Sequence, residues 1–94
     1  MNRLAIRVRI VGAFLEQPLN TAFEEPFTGN DTPQSVFARL DKKKAVGRRF
    51  FGKIVKRGQV TFLLNGDRLD LPKDLNKPLN DGDEISVLSA IAGG

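Results

Sequence analysis

The stretch that decides the fold is Leu79-Asn80-Asp81-Gly82-Asp83-Glu84-Ile85-Ser86-Val87-Leu88-Ser89-Ala90-Ile91-Ala92-Gly93-Gly94. It reads as a tight turn, a strand and a slim tail. In Asn-Asp-Gly-Asp, Gly82 takes positive φ without steric cost, and the flanking Asn and Asp side chains can bond to nearby backbone. Ile85 and Val87 then alternate with Glu84 and Ser86, the period of a strand with one buried face. Beyond Leu88 the side chains shrink, and the sequence closes on two glycines.

Such an ending has two readings. One is a frayed terminus, the usual fate of the last residues of a domain. The other makes the Gly94 carboxylate the reactive group. With no Cβ at Gly93 or Gly94, the tail can thread a narrow channel and bring its end to a nucleotide. That carboxylate can attack the α-phosphate of ATP and form an acyl-adenylate, a mixed anhydride open to displacement by sulfur or an amine.

Composition narrows the field. The 94 residues suit one domain with a modest core. There is no cysteine and no histidine. Disulfides, a thiol nucleophile and the commonest general base and metal ligand are therefore excluded. No nucleophile and base pair, metal-ligand cluster or phosphate-loop spacing stands out, so no metal site is expected and the chain is not expected to be an enzyme by itself. No apolar run is long enough to span a membrane or form a secretory signal, which fits a cytoplasmic location. The net charge of +4 leaves nucleic acid or an acidic partner surface open. Its distribution is uneven: Lys42, Lys43, Lys44, Arg48, Arg49, Lys53, Lys56 and Arg57 crowd one stretch, while Asp81, Asp83 and Glu84 surround the final turn.

From the start of the chain, Leu4, Ile6, Val8 and Ile10 alternate with Ala5, Arg7 and Arg9, the clearest strand pattern present. Residues 12–20, with Pro18 among them, read as a connection. Residues 21–27 read as a second strand paired back on the first, with Phe23 and Phe27 on one face and Pro26 suited to a strand end or an edge. Thr32-Pro33 supplies a helix start, a hydroxyl at the cap followed by a proline whose missing N–H costs nothing there. Val36, Phe37 and Leu40 share a helical face, and the lysine run beginning at Lys42 complements the helix dipole. Phe50, Phe51, Ile54 and Val55 repeat helical spacing, predicting a second, short amphipathic helix. Residues 60–64 are a strand, Asn65-Gly66 is a hairpin turn, and residues 68–71 return as a short strand ended by Pro72. Leu75, Pro78 and Leu79 form a loop that tucks leucines under the sheet.

The segment Asp81-Gly82-Asp83-Glu84-Ile85, the short strand and Ala92-Gly93-Gly94 resemble the sulfur-carrier branch of the ubiquitin-like β-grasp proteins. Phe62-Leu63-Leu64-Asn65-Gly66-Asp67 resembles the strand and turn that precede this motif in the same family. The nearest likeness is to the molybdopterin synthase small subunit (MoaD-like), while Ile91-Ala92-Gly93-Gly94 is a ThiS-like ending, similar to the thiamine-pathway carriers. The resemblance implies an α+β fold over residues 1–94: a β-grasp with a mixed sheet of four to five strands, first and last strands parallel at the centre, one main helix across one face, and a flexible tail at residues 89–94. Alternation then points Phe62, Leu64, Ile85 and Val87 at the helix and leaves Leu63, Leu88, Arg7 and Arg9 on the open face, the expected partner-binding surface.

The resemblance further implies that a ubiquitin-activating-like adenylyltransferase uses ATP to adenylate Gly94. A sulfur donor would convert it to a thiocarboxylate, which is delivered to a synthase large subunit. Gly93 and Ala92 keep the tail slim and Ile91 anchors it; no cofactor is expected to stay bound. Two alternatives remain open: a protein modifier forming isopeptide bonds through Gly94, and a basic module for nucleic acid, which the lack of Tyr and Trp disfavours.

Overall fold

The computed structural model describes residues 4–14, 17–57 and 59–89. Five strands and two helices follow in the order β1 (Ala5–Phe14), β2 (Gln17–Pro26), α1 (Pro33–Lys42), α2 (Phe50–Arg57), β3 (Thr61–Leu64), β4 (Asp67–Leu69) and β5 (Glu84–Leu88). The strands form one mixed sheet in the order β2-β1-β5-β3-β4. β1 and β5 run parallel at its centre, with Val8 opposite Ile85 and Ile10 opposite Val87, and the other pairings are antiparallel. This is the expected β-grasp arrangement. Both helices lie on one side, over the inward residues Ile6, Val8, Ile10, Phe62, Ile85 and Val87.

The first hairpin corrects the sequence reading. Residues 12–14 and 17–20, taken as a connection, are strand, and Pro18 pairs with Ala13 across the ladder. The position of β2 at the sheet's edge explains it. A strand with one free side loses no ladder bond to a proline whose nitrogen faces outward, so Pro18 and Pro26 both fit.

The helix start expected at Thr32 is present with a capping box in which Ser35 replaces the usual Glu or Gln. The Ser35 N–H donates to Thr32 Oγ1 at 3.2 Å, and the Thr32 N–H donates to Ser35 Oγ at 2.9 Å. α1 ends in a Schellman motif: the Ala45 N–H donates to the Leu40 carbonyl, the Lys44 N–H to the Asp41 carbonyl, and Lys44 sits at φ 56°. Of the lysine run, then, Lys42 occupies the last turn of α1 and Lys43 and Lys44 close it.

The short second helix is also present, and Asp41 in α1 holds it. The Asp41 carboxylate accepts from the Phe51 and Gly52 N–H groups at 2.9 and 3.1 Å, capping α2 from a neighbouring helix. A chain of phenylalanines joins the layers. Phe14 meets Phe50 at 5.6 Å, Phe50 meets Phe51 edge-on at 5.1 Å, Phe51 stacks on Phe37 at 4.7 Å, and Phe37 meets Phe62 at 5.9 Å. α2 thereby closes the end of the core beyond α1.

An ionic cluster with two buried carboxylates ties α1 to β2. Glu25 falls on the inward face of β2, where alternation calls for an apolar residue, and it is 3% exposed. Arg39 donates from Nε to Glu25 at 3.2 Å and from Nη1 to Asp31 at 2.6 Å, and Lys43 reaches Glu25 at 2.6 Å. Burial would raise the Asp31 pKa. The bonds from Arg39, the Thr28 N–H and the Ser35 hydroxyl outweigh it and hold the carboxyl at about 2, below its ordinary 3.8. Among the described residues no buried side-chain polar atom lacks a partner.

Candidate docking face and tail exit

The face of the sheet away from the helices is where the sequence places its candidate partner-binding residues, and all four are there. Arg7 and Arg9 of β1 are exposed, and Leu63 of β3 and Leu88 of β5 are half-buried. Pairing sets their neighbours. Arg7 lies opposite Glu84, Arg9 opposite Ser86, and Val11 opposite Leu88. On the other side of β5, Ser86 pairs with Leu63 and Leu88 with Thr61. Leu63 is thus one diagonal step from Leu88, within the reach of side chains on a common face. Val11, not singled out in the sequence, extends this pair into an apolar row of three at the C-terminal end of β5.

The arginines frame one side of that row. Arg7 Nε lies 3.4 Å from Glu84 Oε2, with both side chains largely exposed, so the pair orients the guanidinium more than it stabilises the fold. Among the described residues Arg9 makes no ion pair, leaving its guanidinium to the face.

The acidic end of the sequence has a structural use. Asp81 Oδ1 accepts from the Ala5 N–H at 2.9 Å, joining the final turn to β1. Asp83 accepts from Asn65 Nδ2 at 2.8 Å and from the Asn80 N–H at 2.7 Å. Asn65 in turn accepts from the Glu84 N–H at 2.9 Å. Asn65 and Gly66, at φ 52° and 88°, make the two-residue turn the sequence predicted. Turn and hairpin together fix where β5 begins.

Where β5 ends is fixed by Gly12, a residue the sequence reading had assigned to a connection. The ladder runs one residue past Leu88: the Ser89 N–H donates to the Val11 carbonyl at 3.1 Å. Ser89, expected as the first tail residue, is therefore still held by the sheet. Its carbonyl then lies directly over Gly12, which has φ +131°; a Cβ at position 12 would stand 2.1 Å from the Ser89 oxygen and 2.9 Å from its carbon and nitrogen. Only glycine permits both the backbone angle and the approach. The legible signal was an isolated glycine inside Ile10-Val11-Gly12-Ala13-Phe14, a strand pattern on both sides. Ile91, Ala92, Gly93 and Gly94, the residues expected to carry the chemistry, lie outside the described residues.

Comparison with known proteins decides the family. The ThiS family model matches residues 8–94. The chain belongs to the ThiS family. Two solved structures share the fold of this ThiS-family chain. One is the solution structure of the Haloferax volcanii HVO 2177 protein, 22% identical over 97% of this chain and 87% of that one, with a TM-score of 0.67. The other is the solution structure of Urm1 from Trypanosoma brucei, 18% identical over 100% of this chain and 99% of that one, with a TM-score of 0.55. At these identities the likeness is one of fold. No curated protein matches the chain. The resemblance to the ubiquitin-like sulfur carriers is borne out for family and fold. No helix among the described residues is long and apolar enough to cross a membrane.

Proposed function

We propose that this ThiS-family chain is a sulfur carrier whose C-terminal Gly94 carboxylate is activated with ATP and converted to a thiocarboxylate. In the first step a carboxylate oxygen attacks the α-phosphate of ATP, pyrophosphate leaves, and glycyl-adenylate forms on a ubiquitin-activating-like enzyme. In the second, a sulfur nucleophile at the sulfide oxidation level, supplied by the donor, attacks the acyl carbon, the acyl–oxygen bond to AMP breaks and AMP leaves, so the thiocarboxylate forms with no change of oxidation state. A synthase subunit then accepts the tail; the thiocarboxylate sulfur bonds to a cofactor precursor, that of molybdopterin, and water cleaves the acyl–sulfur bond, leaving sulfur on the precursor and restoring the Gly94 carboxylate. The chain's own side chains perform none of this chemistry: Leu63, Leu88, Arg7 and Arg9 dock the partner, Gly93 and Ala92 keep the tail slim, and Ile91 seats it.

The observation that carries the reading is the exit of the central strand. β5 ends with Leu88 in the apolar row and Ser89, five residues before Gly94 in the sequence, clamped over Gly12 at the edge of the docking face. The family match, which extends through residue 94, supports it. A thiamine-type acceptor is the second reading, favoured by the Ile91-Ala92-Gly93-Gly94 ending.

The test is the intact mass of the protein after incubation with an activating enzyme, ATP and a sulfur source. A gain equal to one oxygen exchanged for sulfur, confined to the Gly94 peptide and lost on deleting Gly94, is the expected result. Adenylate formation by the Gly94 deletion would overturn the proposal. Covalent adducts on lysines in place of the thiocarboxylate would identify a protein modifier.

A further inference from the structure

On the helical side, opposite the docking face, α1, α2 and the loop before β5 line an open cleft of about 580 Å³. Its apolar lining comes from Phe37 and Ala38 of α1, Phe51 and Val55 of α2, and Leu75 of the loop before β5. The parallel Phe37 and Phe51 rings are 4% and 1% exposed, so they form a fixed floor. Arg49, Lys53 and Lys56 stand on the α2 side. Asp41 also lines the cleft, but its carboxylate is committed to the Phe51 and Gly52 N–H groups. No carboxylate occurs in the sequence from Lys42 to Arg57, which holds eight of the fifteen cations. We propose that this cleft binds an acidic segment of a partner protein that carries an apolar anchor residue, independently of the sheet face.

Three observations select that occupant. An apolar floor beside a cationic rim matches a segment with carboxylates flanking a Leu or Phe, the charge giving fast and selective encounter and the anchor giving residence. Nucleic acid fits less well: five of the seven phenylalanines, Phe14, Phe37, Phe50, Phe51 and Phe62, are buried, and Phe23 and Phe27 are half-buried against the core, so no ring stands free to stack on bases. A small-molecule site is an enclosing pocket, whereas this cleft, whose polar lining is Gln34, Arg49, Lys53, Lys56 and an Asp41 already capping α2, is broad and open to solvent, which suits a segment of a partner. Since the cleft and the sheet face lie on opposite sides of the molecule, a partner held in the cleft leaves Leu63 and Leu88 open to another.

The probe is a synthetic amphipathic helical peptide with Leu and Phe anchors at i, i+3 and i+4 and glutamates around them. It is titrated into the isotope-labelled full chain at about 0.15 M salt, where surface charge is screened beyond about 8 Å. The expected result is amide shift changes at Phe51, Val55 and Leu75, and binding at least about tenfold weaker in Lys53→Glu/Lys56→Glu and in Ala38→Glu, an exposed helical position that adds bulk and charge to the cleft. The charge-matched control Arg68→Glu/Lys77→Glu, at exposed sites outside the cleft, should bind as the parent does. The proposal is overturned if the shifts map to Arg9, Leu63 and Leu88, or if the control weakens binding equally. It is also overturned if a peptide with alanine anchors binds as well, or if a single-stranded RNA oligonucleotide outcompetes the peptide.

Discussion

Replacing Gly12 by alanine tests the claim that this residue sets the exit of β5. Two costs separate on the structure. At φ +131° a residue with a Cβ is held in a region that essentially only glycine occupies, which costs about 1–3 kcal/mol. The new methyl also meets the Ser89 carbonyl at 2.1 Å, and restoring an ordinary 3.4 Å contact requires about 1.3 Å of movement, the difference of the two. That movement breaks the bond from the Ser89 N–H to the Val11 carbonyl, adding about 1 kcal/mol. The sum, about 2–4 kcal/mol, lowers the melting temperature by about 10–25 °C in a domain of this size. Gly29→Ala is the control. Gly29 has φ +97° but nothing within 4 Å of its added Cβ, so it incurs the backbone cost alone. Thermal unfolding of both variants, with hydrogen exchange at the Ser89 amide, reads the two costs separately. On the proposed function, a tail displaced by about 1 Å also slows adenylation by about 100-fold. Equal destabilisation by the two substitutions, with the Ser89 amide still protected in Gly12→Ala, would refute the reasoning.

Other substitutions probe the supports of the fold. Asp41→Ala removes the cap of α2 and should cost about 1–2 kcal/mol, with the Phe51 and Gly52 amides the first to exchange with solvent; unchanged exchange there would contradict the capping role. Lys44→Gly relieves the left-handed closing position of α1 and should stabilise by about 0.5–1 kcal/mol in chemical denaturation, where a loss would show that the lysine side chain matters more than its backbone. The Asp31 carboxyl, depressed from 3.8 to about 2, binds its proton more weakly folded than unfolded. Its contribution of about 2 kcal/mol is thus complete above pH 4 and lost as pH falls through about 2. Asp31→Asn should flatten that part of the stability curve, and an unchanged acid limb would assign the dependence to other carboxyls.

The parts of the fold legible in the sequence are those where one short-range rule governs. Alternation at Ile6 to Ile10 and at Glu84 to Leu88, the Thr32-Pro33 helix start and the Asn65-Gly66 turn each depend on neighbours a few residues away, and each is present; Leu4, the first apolar residue of the early pattern, instead precedes β1 and is 56% exposed. The open-face positions of Arg7, Arg9, Leu63 and Leu88 follow from the same alternation once the sheet order is known. The misreadings share a different origin. Pro18 reads as a strand breaker unless β2 is known to be an edge, and edge position is a property of the whole sheet. Gly12 reads as the start of a loop because Ser89, the residue that requires it, is 77 positions away (89 − 12). Glu25, on which the sequence reading is silent, breaks the inward apolar pattern between Phe23 and Phe27 because Arg39 of α1 and its C-cap Lys43 balance its charge.

The edges of the sheet bear on how another chain can associate with it. Pro18 and Pro26 cut the outward N–H row of β2 short at both ends, and β4 has three residues, so the rows of free N–H groups offered to another chain are short. Association is thereby directed away from strand addition and toward the faces. On one face Val11, Leu63 and Leu88 form a half-buried apolar row next to Ser89; on the other the cleft between α1 and α2 is bounded by cations. A carrier that is activated by one protein and discharged by another requires release between the two. On the proposed function, a small apolar row beside the clamped Ser89 meets that requirement, because binding energy is concentrated where β5 ends and is modest elsewhere.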